Sequence, residues 1–308
     1  MRSVLCCCVL STAFATLANG QDAANASPAL LRWKLGEGDQ LRLKVIQTTK
    51  TETKVNDKPT AMSIDTGMEM LWRVDGVEEG GTMRMTQSFT RFMMKTATPD
   101  GQTVIHDSLS KEKPSPETQD FARDIGPLLR VRFAVVMSDR GEIADVALTP
   151  EAESLLADLP DASKWKSLLT KEGMSRTLRQ SLGLLPETPV AVGDAWSNNH
   201  ELDSPVGKIR LANSYTYEST ISRDGKSFEK LAVVTRVEPQ NETKPLEGPA
   251  IPIPREYGGV FYFDTVAGRL VHSRITQTTV SKVPYRDMTI QVTASSSILM
   301  NVTPVNGN

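Results

Sequence analysis

The stretch MTIQVTASSSILMNV, residues 288–302, changes side-chain character at almost every step. Met288, Ile290, Val292, Ala294, Ile298, Met300 and Val302 fall on even positions. Thr289, Gln291, Thr293, Ser295, Ser297 and Asn301 fall on odd ones, where Leu299 alone breaks the rule, and Ser296 is the one polar residue on an even position. A period of two belongs to the β-strand, whose successive side chains point to opposite faces. The even face is therefore expected to be buried and the odd face wet. Fifteen residues extend roughly 50 Å at about 3.3 Å each, whereas ordinary strands hold about 3–10 residues. Long antiparallel strands with one apolar face must twist and curl. The expected fold is mostly β, with long antiparallel strands in a curved sheet or half-barrel.

The same period recurs through the chain. Leu41, Leu43 and Val45 alternate with Arg42 and Lys44, and this strand runs on through a Thr-rich stretch to a turn at Asn56–Pro59. Met68, Met70, Trp72 and Val74 share one face of the next strand, opposite Glu69, Arg73 and Asp75. A third carries Met83, Met85 and Phe89 and then shifts phase to Phe92 and Met94, the mark of a bulge that bends a sheet. Turns follow at Pro99–Gly101, and Phe133–Val146 reads as a hairpin around Asp139–Gly141. Later come alternation at Ile209, Leu211, Tyr215 and Tyr217, a two-residue hairpin turn at Asp224-Gly225, and a proline-rich loop over 239–256. Val260–Phe263 and Leu270–Ile275 flank a turn at 265–268.

Residues 150–186 differ. Thr149 and Pro150 have the character of an N-cap and first helical position, and a helix is also expected near Phe121–Leu129. Leu155, Leu156 and Leu159, then Trp165, Leu168 and Leu169, then Leu178, Leu182 and Leu185 form three apolar groups. Pro160, Gly173 and Pro186 are expected to divide them into three short helices. The organisation is then a first β block over 30–149, the helical segment 150–186, a second β block over 187–303 and a tail at 304–308. Gly38-Asp39 opens the first block and Gly193-Asp194 the second, which hints at an internal duplication.

The start reads as an export signal. Arg2 supplies charge, Val4–Leu17 has no charged residue, and Ala18-Asn19-Gly20 places small residues before Gln21. Cleavage near Gly20 leaves residues 21–29 as a flexible leader and a periplasmic or extracellular protein without a transmembrane segment. Cys6, Cys7 and Cys8 lie too early for lipid attachment and are the only cysteines in the chain. The mature protein would carry no thiol and no disulfide, so its core alone must hold it. Removing Arg2 takes the balance from 35 basic and 37 acidic residues to 34 and 37, a change from −2 to −3. That is not the basic field a nucleic acid requires.

Catalytic constellations are missing. His106, His200 and His272 are far apart, without a partner at metal-binding spacing, and the Gly-rich phosphate and nucleophile-elbow motifs are absent. No catalytic residue, metal or cofactor is expected. Met68, Met70, Met83, Met85, Met93 and Met94 instead concentrate on two neighbouring strands with Trp72, Phe89 and Phe92. Methionine is flexible and polarizable, suited either to filling a core or to lining a site for varied apolar partners. The candidate ligand-binding set is Met68, Met70, Trp72, Met83, Met85 and Phe89.

The stretch VAVGDAW at Val190–Trp196, with GVFYFD at Gly259–Asp264 and GRL at Gly268–Leu270, resembles an uncharacterised family of exported bacterial β-proteins, a domain of unknown function. These are turn and strand signatures, so the resemblance implies fold and export, not activity. Long strands with a helical plug also look like the half-barrel carriers that shuttle lipoproteins or lipids across the periplasm. Three functions follow in order. The first is a non-enzymatic envelope protein that holds a lipid, acyl chain or other apolar ligand in a sheet trough. The second is an interaction module holding an envelope protein by its sheet edges or the 239–256 loop. The third is a hydrolase with a dispersed site.

Overall fold

The computed structural model describes residues 28–55, 58–157, 169–204, 207–240, 255–285 and 288–305. The export segment with its three cysteines, Trp165 and Leu168, and most of the 239–256 loop lie outside them.

Among the described residues, twelve antiparallel strands form one curved open sheet. In chain order they are β1 (Gln40–Val55), β2 (Lys58–Val77), β3 (Met83–Ala97), β4 (Thr103–Asp107), β5 (Arg132–Met137) and β6 (Ile143–Leu148). The second half supplies β7 (Ala195–Ser204), β8 (Gly207–Arg223), β9 (Lys226–Pro239), β10 (Glu256–Asp264), β11 (Arg269–Tyr285) and β12 (Met288–Pro304). The spatial order is β6-β5-β3-β2-β1-β12-β11-β10-β9-β8-β7, with β4 pairing off β3. Each half is a meander, and they join where β1 pairs with β12 from Leu41 opposite Pro304 to Lys54 opposite Gln291. The strand at 288–302 is thus the centre of the sheet and slightly longer than its sequence pattern marks. The mostly β, long-stranded, curved architecture is as expected.

Local chemistry explains the joints. The phase shift in β3 is a register shift: Met70 faces Phe89, but the preceding Glu69 faces Arg91, leaving Thr90 extra. The β8–β9 turn puts Asp224 at φ 52° and Gly225 at φ 72°, the left-handed pair a two-residue hairpin needs. The Gly-Asp turns match in detail. In one, Gly36 N–H donates to Asp39 Oδ2 at 2.8 Å, Gly38 N–H to the Val74 carbonyl at 2.9 Å, and Val74 N–H to the Asp39 carbonyl at 2.9 Å. In the other, Ala191 N–H donates to Asp194 Oδ2, Gly193 N–H to the Tyr217 carbonyl, and Tyr217 N–H to the Asp194 carbonyl.

Three helices are described: α1 (Gln119–Ile125), α2 (Pro150–Ala157) and α3 (Lys171–Leu182). Thr149 caps α2, accepting from Ala152 N–H at 3.3 Å. Gly173 does not divide the helical stretch. It lies in the first turn of α3, where Thr170 Oγ1 accepts its N–H at 3.1 Å, so the cap satisfies a donor where the glycine was expected to end a helix. Met174, Leu178 and Leu182 recur every four residues and turn one face of α3 to the core.

One end of the half-barrel is closed by residues 29–35. Leu31, Trp33 and Leu35 are buried, Trp33 N–H donates to the Asp139 carbonyl, and Lys34 N–H donates to the Gly268 carbonyl. Two distant hairpin turns are thereby held by adjacent residues. Arg32 adds bonds to the Pro186 and Glu187 carbonyls and an ion pair with Asp139 at 3.1 Å. The core fills this end, where Trp72, Val74, Met83, Met85, Phe133 and Val135 are each at most 2% exposed.

Burial along β12 departs from the expectation. Met300 and Val302 are buried, but residues 290–299 are intermediate on both faces. The alternation is real, yet only the end beside the closed core is covered.

Candidate functional site

That uncovered face leads into a cavity of about 490 Å³. Nine strands (β1–β3 and β7–β12) and α3 contribute side chains to it, so this face of the sheet is the concave one. Val45, Met68, Met70 and Phe89 form one wall. Ile275, Ile298 and Met300 form the floor, and Leu211, Tyr215, Val233, Val237 and Phe261 the opposite wall. Helix α3 roofs it with Met174 and Leu178. The lining follows from period two meeting curvature: same-face residues of neighbouring strands converge on one space.

Of the six residues singled out from sequence, Met68, Met70 and Phe89 border the cavity. Trp72, Met83 and Met85 do not; they lie in the closed core at the same face's other end. Sequence gave no means of separating the two groups, because a packed strand end and an open one share the same alternation. It also missed most of the opposite wall.

One rung of the second half is polar. Asn198, Asn213, Thr235 and Tyr257 are cross-strand partners on β7, β8, β9 and β10. Thr235 Oγ1 donates to Asn213 Oδ1 at 2.7 Å, and Asn213 Nδ2 donates to Asn198 Oδ1 at 3.0 Å. Asn198 Nδ2 then meets His200 Nε2 at 3.0 Å. Because Asn198 Oδ1 is already an acceptor, its amide donates, and the imidazole carries its proton on Nδ1. Burial, helped by the charge of Arg179, holds His200 below its ordinary pKa and keeps it neutral. From the roof, Gln180 Nε2 donates to the Tyr257 hydroxyl at 3.3 Å. Burial also raises the pKa of Tyr257, so its hydroxyl keeps its proton. Apolar rungs flank this row, with Tyr215 and Val233 on one side and Leu211 and Val237 on the other.

The three histidines fall on separate strands, β4, β7 and β11, and among the described residues no three His, Cys, Asp or Glu side chains gather as a metal site. His272 is engaged with Asn301 at 2.8 Å. Among the described residues no helix is long and apolar enough to cross a membrane.

No curated protein matches the chain. Among solved structures, lipovitellin, in a study of its lipid–protein interactions, is similar at 11% identity and a TM-score of 0.43, covering 89% of this chain and 26% of its own. The chain thus spans about a quarter of that protein. The hypothetical lipoprotein YmcC from Escherichia coli K12 is similar at 9% identity and a TM-score of 0.23, covering 80% of this chain and 85% of its own. A Bacteroides fragilis protein with a YmcC-like fold is similar at 10% identity and a TM-score of 0.22, covering 89% and 99%. At such values these proteins share at most broad architecture, and what they bind is a property of theirs. Residues 80–226, from the turn before β3 to the turn after β8, match the model of a family of unknown function (DUF6263), so over this stretch the chain is similar to a domain of unknown function, as expected; the match includes Val190–Trp196, while Gly259–Asp264 and Gly268–Leu270 lie beyond it.

Proposed function

We propose that this is an exported, non-enzymatic envelope protein that holds an apolar ligand or acyl chain in the trough between the sheet and α3. The observation that carries this reading is the cavity itself. Protein interiors pack as densely as organic crystals, and voids larger than a water molecule are few. A space of about 490 Å³ walled by Met68, Met70, Phe89, Phe261, Ile298 and Met300 falls in the size range of ligand sites, about 300–1,000 Å³. Methionines on the wall adapt to varied apolar shapes. The polar rung is mostly amide and hydroxyl groups bonded to one another, an arrangement suited to orienting a ligand. Export rests on the signal-like start of the chain.

Binding of N-phenyl-1-naphthylamine, an uncharged apolar fluorophore, tests the reading. Its emission should rise with the parent protein and fail to rise with Ile298→Glu, which puts a carboxylate on the cavity floor. A parent protein that leaves the emission unchanged would refute an apolar site.

A further inference from the structure

Helix α3 brings a second kind of chemistry to the roof. Arg176 and Arg179 both border the cavity, while among its described lining residues there is no aspartate or glutamate. Arg176 is half-buried and has no hydrogen bond or ion pair within the described residues, although Arg179 uses one nitrogen on the Ile143 carbonyl at 3.0 Å. Glu142, which acts on His200 through space, and Glu172, four residues before Arg176 in α3, both lie outside the cavity lining.

The two guanidinium groups are placed near the polar rung by geometry. Gln180 is bonded to Tyr257, and Arg176 lies one helical turn before Gln180 on the same face. Arg179 is exposed, precedes Gln180 in α3 and lines the same cavity as His200, whose imidazole its charge helps to depress. One end of an apolar cavity therefore holds two cations and a row of neutral donors and acceptors. The rest of its wall is mainly methionine, leucine, isoleucine, valine and aromatic side chains, with Gln47, Thr66, Ser273, Gln277 and Ser296 as further neutral polar groups and no other charge.

The geometry points to an amphiphile as the ligand: one acyl chain along the floor, and one anionic head, carboxylate or phosphate, between Arg176, Arg179 and the polar rung. This rests on the apolar site proposed above and names what fills it. Guanidinium groups bind both head types through paired charge-assisted bonds, and partial removal from water strengthens those bonds. An uncharged ligand of the same length would cover more of Arg176 and offer it no charge in return.

Four probes of the purified protein decide it: oleate, oleoyl lysophosphatidate, oleyl alcohol and inorganic phosphate, each titrated by displacement of N-phenyl-1-naphthylamine. Oleate, lysophosphatidate or both should bind at least about tenfold more tightly than oleyl alcohol, the worth of one charged hydrogen bond, and the tighter of the two identifies the head. Inorganic phosphate at the same concentrations should displace nothing. Arg176→Gln with Arg179→Gln should bring the acids to the affinity of the alcohol and leave the alcohol unchanged. Arg123→Gln, a charge loss on the far surface helix α1, should change none of them. Equal affinity of the parent for both acids and the alcohol would overturn the anionic head while leaving the apolar site standing. Displacement by phosphate alone would overturn the amphiphile. No binding of any acyl probe would remove the apolar site as well. The parent comparison stands even if the double variant does not fold.

Discussion

Placing a carboxylate at two methionines of the same sheet face separates a trough from a core. Met85 is 1% exposed and sits opposite Val74 and Val135. Met85→Glu forfeits about 1.5–3 kcal/mol of methionine burial and adds several kcal/mol for a carboxyl group with no partner. A total of about 5 kcal/mol or more is a large part of the 5–15 kcal/mol that holds a typical domain. Met68 is half-buried on the cavity wall. Met68→Glu loses about half as much burial, about 1 kcal/mol, and its carboxylate stays hydrated through the open cavity. An acyl chain entering must strip that hydration, so binding should weaken by about a hundredfold, near 3 kcal/mol. Urea unfolding and N-phenyl-1-naphthylamine titration of both variants against the parent supply the comparison. Met68→Glu should fold and not bind, and Met85→Glu should lose most of its stability. Equal stability losses, or a folded Met68→Glu that binds normally, would refute the distinction.

Gly268 has φ 59°, and a Cβ there would stand 2.2 Å from Lys34 Cβ. Gly268→Ala should therefore lower the melting temperature by pushing residues 29–35 off the closed end, whereas Gly225→Ala, with nothing near its Cβ, should cost only backbone strain. Thr170→Ala removes the cap of α3 and should cost about 1 kcal/mol in urea unfolding. Arg91 holds Asp107 by two bonds, and these keep the carboxyl below its ordinary pKa. A depressed folded-state pKa adds stability that is complete above the unfolded value, near 4, and is lost as pH falls through the folded one. Arg91→Leu should flatten that acid-side fall in the urea midpoint, and an unchanged slope would remove Asp107 from the account. Intact-mass measurement of exported material should give a chain beginning at Gln21 with no thiol; a retained segment or a lipid on cysteine would contradict the export reading.

The strands were legible because the alternation at 40–45, 68–74 and 288–302 is broken only at Leu71, Ser296 and Leu299, and period two has one structural meaning. The bulge at Thr90 was legible for the same reason, as a break in that phase. Burial was not. Val292 and Val302 occupy equivalent positions in one pattern, yet only Val302 is covered, because covering depends on where residues 29–35 and the helices come to rest. The same gap put Trp72 and Met85 beside Met68 in one candidate set. Gly173 misled because its poor helix propensity counts less than a capped N–H in a first turn. The polar rung had no local signal: Asn198, Asn213, Thr235 and Tyr257 are brought abreast only by register.

Mass spectrometry of an organic extract of the protein, purified from its own host without detergent, tests the central claim most directly. A filled trough predicts an acyl-chain compound close to one per protein, absent from Met68→Glu prepared in parallel. A parent protein that yields no such compound, and takes up no acyl probe when one is offered, would contradict it.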